Sequence, residues 1–135
     1  MKRRGISDPW AAYGRCFAES SALAKRQGYG LIEVTGMTYP GREHWACMAG
    51  DLFDGEPTVI DLTARQFTTG VPARYETDLD TWLDDACEWL GDGLRYRVFP
   101  SWPWQEHEFS GTWIRDDIDP EEFVREEAWR KWRTA

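Results

Sequence analysis

Small and apolar residues recur every three or four positions from Cys16 onward: Cys16, Phe17, Ser20, Leu23 and Ala24. A stripe of that period predicts an amphipathic helix from Arg15 or Cys16 to Gln27. Gly28 and Gly30 supply its stop. The period then drops to two, the spacing of a strand with one buried face. Leu31 to Thr35 is the first strand, and Pro40-Gly41 marks a loop within residues 36–42. His44 to Leu52 is the second strand, Asp54-Gly55 the hairpin turn, and Thr58 to Leu62 the return strand. Residues 63–77 carry no period and contain Gly70 and Pro72, so they are expected to be irregular. Asp78 to Leu90 is a second helix. Asp78 caps it, and Leu79, Trp82, Leu83, Ala86 and Leu90 share one face. Leu94 to Phe99 is a further strand, and residues 100–118 are expected to form an ordered loop or a short strand. Pro120 to Trp132 is a last helix, with a cap at Asp119 and acids in its first turn. The order predicts an α+β domain, with an N-terminal helix packed on a small antiparallel sheet and further helices after it.

Length and composition narrow this picture. The 135 residues suit one domain, with a core expected over 13–99 and a Trp-rich extension with a helix over 100–135. Hydrophobic residues make up 41%, enough to bury a core, yet no run of about 18 apolar residues exists to span a bilayer. Met1-Lys2-Arg3-Arg4 is followed by Ser7, Asp8 and Pro9 rather than an apolar stretch. No secretory signal is expected, and a cytoplasmic location is. A net charge of −8 argues against nucleic acid and for a neutral or cationic partner. The dense basic stretches, Lys2-Arg3-Arg4 and Arg125 with Arg130, Lys131 and Arg133, read as solvated tails or helix faces.

Three cysteines, Cys16, Cys47 and Cys87, fit neither a disulfide framework nor a zinc spacing. They are expected to be free thiols. Cys16 follows Gly14 at the start of a predicted helix. Unbonded N–H groups and the positive dipole end there favour thiolate. His44 opens the second strand, and Asp61 lies on the return strand. Parity places His44, Ala46 and Met48 on one face and Trp45, Cys47 and Ala49 on the other. Val59, Asp61 and Thr63 share a face as well. Asp61 can therefore approach His44, while Cys47 is sent away from it and reads as a core thiol. Each residue alone has an ordinary explanation. A free cysteine is most often a small buried hydrophobe. A histidine beside tryptophan is commonly a satisfied core or rim residue. A carboxylate between Ile60 and Leu62 must be paired or accept backbone bonds. The three together form a nucleophile, a base and an orienting acid.

Gly14-Arg15-Cys16-Phe17 opening a helix, His44-Trp45 on a strand, and the run from Val59 to Phe67 together resemble the papain-like and transglutaminase-like superfamily. They are most similar to its small phage and bacterial members, over about residues 13–67. The resemblance implies Cys16 as nucleophile, His44 as general base and acid, and Asp61 as the carboxylate that orients it. It implies thioester chemistry on a peptide or protein amide, with neither cofactor nor metal. Protease, deamidase, deconjugating enzyme and transglutaminase share this machinery. Papain has a Gln upstream of its Cys, but none precedes Cys16. Candidate oxyanion and substrate contacts are therefore Phe17, Tyr13, Trp45 and Gln66. Arg65-Gln66-Phe67 is expected chiefly to turn the chain. The alternative is an inactive fold that binds a protein through its Trp-rich half. Arylamine-acetyltransferase-like chemistry uses the same residue order, but the chain is short for it. Trp82 and Trp89 share the core face of their helix. Trp102-Pro103-Trp104 with Tyr96 forms either core or a groove. His107 reads as exposed and idle. The acidic run Asp78, Asp80, Asp84 and Asp85 lacks the pattern of a calcium loop.

Overall fold

A computed structural model describes Gly5 and residues 14–37, 43–50, 57–99, 109–115, 119 and 121. The chain enters its first helix through Gly14, whose φ of 76° lies in the left-handed region that costs glycine little. Helix α1 runs Cys16–Gln27 and ends at Gly28, which is also left-handed. Strand β1 (Gly30–Gly36) follows, then β2 (Glu43–Ala49) and β3 (Thr58–Asp61). These elements match the sequence expectations, while the Asp54-Gly55 turn lies outside the described residues.

The stretch expected to be irregular holds two short elements. One is a 3-10 helix at Ala64–Gln66, and the other is strand β4 at Tyr75–Asp78. Four residues with no apolar alternation carry little signal of their own. Pairing makes β4 a strand, with Thr58 opposite Asp78 and Asp61 opposite Tyr75. Helix α2 (Leu79–Leu90) begins at Asp78, whose carboxylate accepts from the Thr81 N–H. Strand β5 (Gly93–Phe99) returns to pair with β1, and β6 (Phe109–Ile114) pairs with β5. The expected loop or short strand over 100–118 thus contains a six-residue strand. The expected helix over 120–132 lies almost wholly outside the described residues.

The sheet has six antiparallel strands in the order β4-β3-β2-β1-β5-β6. One helix covers each face. Leu23 and Ala24 of α1 pack with Leu31, Cys47, Ile60 and Leu62. Trp82, Leu83, Ala86, Cys87 and Leu90 of α2 pack with Ile32, Ala46, Met48, Val59, Leu94 and Val98 on the other face. This is the α+β architecture expected, with a wider sheet. The alternation in β2 sorts as its parity requires, with Ala46 and Met48 toward α2 and Cys47 toward α1. Gly36 is needed where β1 passes under the end of α2. A Cβ there would stand 2.7 Å from the Leu90 carbonyl oxygen. Among the described residues no helix is long and apolar enough to cross a membrane.

Candidate active site

Pairing between β2 and β3 stops at Cys47 opposite Ile60. Beyond that point the Trp45 backbone has no β3 partner on its outer side. Helix α1 fills the gap. The Ser20 hydroxyl donates to the Trp45 carbonyl at 3.1 Å, and the Cys47 thiol donates to the Ser20 carbonyl at 2.9 Å. These two bonds seat the helix on β2 and bring its first residue beside His44.

On the α2 side of the sheet, Asp61 and His44 meet. His44 Nε2 lies 2.6 Å from Asp61 Oδ2, and both side chains are fully buried. The Trp82 indole N–H donates to the same oxygen at 3.0 Å. The Thr63 N–H donates to Oδ1 at 2.9 Å. Three donors thus satisfy a carboxylate that would otherwise be costly to bury. The bond to Asp61 leaves imidazole Nδ1 for the Cys16 thiol, which lies within hydrogen-bonding reach of His44. The arrangement does not come cheaply in stability, because a buried ion pair is often no better than an apolar one of similar volume.

The electrostatics agree with the geometry. Burial alone would raise the Cys16 pKa, but the hydrogen bond and charge of His44 outweigh it and hold the thiol below its ordinary value. The backbone N–H groups of Trp45 and Phe17 act in the same direction. Burial alone would lower the His44 pKa; the Asp61 charge and hydrogen bond, with a smaller contribution from Cys16, instead push it up to about 9. Asp61 is held below the carboxylate range, since His44, Trp82 and Thr63 together overcome its burial. The shifts run toward a thiolate beside an imidazolium beside a carboxylate.

Aromatic rings close around His44. Phe67 meets it edge-on at 4.9 Å between centroids, Trp82 stacks at 5.9 Å and Trp89 meets it edge-on at 6.0 Å. Gln66 reaches the site from the 3-10 helix. Its amide nitrogen is 3.4 Å from His44 Nδ1 and 3.3 Å from Thr63 Oγ1. The Arg65-Gln66-Phe67 run therefore places two of its three residues against the imidazole as well as turning the chain. Phe17 is half exposed and packs edge-on to Trp45 at 4.9 Å. Tyr13, the remaining candidate contact, lies outside the described residues, as does His107.

Trp82 is the contributor that periodicity alone reads only as core. A combined signal was present in the sequence. A buried indole needs an acceptor, and a buried aspartate needs donors. Cys47 and Cys87 are buried core thiols, and burial pushes Cys87 up to about 12. No group of three His, Cys, Asp or Glu side chains suited to a metal ion occurs among the described residues.

Fold and site together define an α+β protein with a cysteine, a histidine and an aspartate converging at a helix start. No protein-family model matches the chain, and no curated protein sequence matches it. Among solved structures, it is similar to the catalytic domain of the Salmonella virulence factor SseI, with a TM-score of 0.46 and 17% identity. The match covers 67% of this chain and 61% of that one. A likeness at that level says nothing of this chain's chemistry.

Proposed function

We propose that this chain is a cysteine-dependent hydrolase or acyl-transfer enzyme acting on a peptide or protein amide. One observation carries the reading: the Cys16 thiol lies beside an imidazole whose Nε2 is 2.6 Å from a buried, threefold-bonded aspartate. Papain-like and transglutaminase-like enzymes, which the order Cys16, His44, Asp61 resembles, use such a relay.

The Cys16 thiolate attacks the carbonyl carbon, forming a C–S bond and moving the carbonyl electrons onto oxygen. The Phe17 and Trp45 N–H groups, already directed at the sulfur, and the Gln66 amide are the donors at hand for that oxyanion. The His44 imidazolium gives its Nδ1 proton to the leaving nitrogen as the C–N bond breaks, which leaves a thioester. Water or an amine then loses a proton to Nδ1 and attacks the thioester. The C–S bond breaks and the thiolate–imidazolium pair returns. Asp61 holds the ring's orientation and stabilises its charge throughout.

The test is the rate of Cys16 alkylation by chloroacetamide against pH, with trapping of the acyl-enzyme by mass spectrometry on peptide amides and esters. Fast alkylation already at neutral pH is expected, slowed at least tenfold by His44→Ala. Cys16→Ala should abolish acyl-enzyme formation while costing within about 1 kcal/mol of stability, because a half-buried helix-start residue packs modestly. An ordinary thiol rate, indifferent to His44→Ala, would overturn the reading and favour a protein-binding role.

A further inference from the structure

Beyond the tip of α1, the α1 face of the sheet carries two cross-strand rows of side chains. In one row Trp45 lies opposite Glu33, Glu33 opposite Arg97, and Arg97 opposite Ser110. In the next, Glu43, Thr35, Arg95 and Thr112 lie opposite one another in the same way. Glu33, Thr35, Arg95, Arg97, Ser110 and Thr112 line a cavity of about 460 Å³ that is open to solvent. The surface is continuous with Cys16. The Trp45 N–H reaches the sulfur, Phe17 packs on Trp45, Trp45 stacks on Phe99 at 5.7 Å, and the Arg97 guanidinium lies over Phe99 at 5.4 Å.

The groove is polarised. Glu33 and Glu43 stand on the neighbouring strands β1 and β2, toward the nucleophile. Burial first, and Glu43 after it, raises the Glu33 pKa against the pull of Arg97. At the far end, Arg97 is anchored to Glu33 by its Nε at 2.8 Å and its terminal nitrogen at 2.7 Å. Arg95, two residues away on the same face of β5, is exposed and forms no ion pair among the described residues. Thr35, Ser110 and Thr112 line the same cavity as the two arginines. With Arg97 held by Glu33, the forked donors of Arg95 are the ones that suit an incoming carboxylate.

We infer that this groove is the substrate-recognition subsite and that it takes an extended peptide segment carrying one acidic side chain, which Arg95 receives. The inference rests on the acyl-transfer reading of Cys16. Strand β5 lies two strands from β2, or about 10 Å, so the acidic residue falls about three residues of extended chain from the target amide. The net charge of −8 repels anions at long range, so the rest of the segment is neutral or basic. The single acid sets register rather than encounter rate.

The experiment uses the full chain and peptides bearing a chloroacetamide in place of the target amide, with one Glu scanned along four positions on each side. The readout is kinact/KI for Cys16 labelling. Glu about three positions away should exceed Gln there by about fivefold, the size an exposed ion pair supplies. Arg95→Glu should reverse the preference toward Lys at that position. Circular dichroism reports that the variant is folded. A flat scan, or a preference identical in wild type and Arg95→Glu, overturns the inference. Plain chloroacetamide separates the two ideas. Fast His44-dependent labelling with a flat peptide scan sinks only the subsite, while slow labelling sinks the acyl-transfer reading itself.

Discussion

At the scale of single residues, Asp61 is where the site's physics concentrates. Its Oδ2 takes both the His44 bond and the Trp82 indole N–H, while Thr63 holds Oδ1. Trp82 also stacks on the imidazole, so one side chain constrains both members of the pair. Trp82→Phe keeps a ring in the core and deletes the N–H. The loss of one hydrogen bond to a charged, buried group costs about 1.5–3 kcal/mol. Asp61 then protonates at a higher pH, so the acid limb of Cys16 labelling should move up. Trp82→Tyr would not restore the bond, because its hydroxyl stands farther from the ring stem. A chemical denaturation curve gives the stability loss, and a labelling profile gives the limb. An unmoved limb with the full stability loss would reduce Trp82 to packing.

At the scale of elements, the decisive event is the end of β2–β3 pairing at Cys47 and Ile60, which opens the gap where α1 docks. Ser20 is the hinge pin, with its hydroxyl on the Trp45 carbonyl and its own carbonyl under the Cys47 thiol. Ser20→Ala should cost about 1 kcal/mol and slow Cys16 labelling several-fold, because the helix start loses its register against His44. Labelling at the wild-type rate would mean that packing of Leu23 and Ala24 seats α1 alone. Both helices and four strands were legible because period and punctuation agree there, as in Leu31 to Thr35 and Asp78 to Leu90. The meeting of Asp61 with His44 was legible because strand parity fixes which side chains of β2 and β3 share a face. Strand β4 was not, since Tyr75–Asp78 has no apolar alternation and owes its form to β3. The placement of Gln66 and Phe67 against His44 was equally hidden. It depends on a 3-10 turn whose stop at Phe67 follows from tertiary fit rather than composition.

At the scale of the whole molecule, the buried charges couple global stability to pH, and the sign follows from counting protons. The His44 pKa is raised from 6.5 to about 9, so His44 alone adds stability that is complete below 6.5 and fades as pH climbs to about 9. The Cys16 pKa is lowered from 9.0, so Cys16 alone adds stability that appears as pH rises past its depressed value. Between the depressed Cys16 value and about 9 the folded pair keeps its proton on imidazole, whereas the unfolded pair above 6.5 keeps its proton on sulfur. The two contributions run in opposite directions over that span, so wild-type Tm should change less with pH up to about 9 than His44 alone would dictate. On acidification through the depressed Cys16 value the thiolate's contribution is lost, and the contribution of Asp61, depressed below 3.8, is lost as that group protonates. Cys16→Ser removes the compensating thiolate but leaves Asp61 beneath the imidazole. In that variant Tm should decline steadily from pH 6.5 upward, through a folded-state His44 pKa still raised by the carboxylate. Calorimetric scans of both proteins across pH 5 to 9.5 read the difference directly. Parallel curves would mean that sulfur and imidazole do not share a proton, and the thiolate–imidazolium pair on which the proposed chemistry depends would be absent.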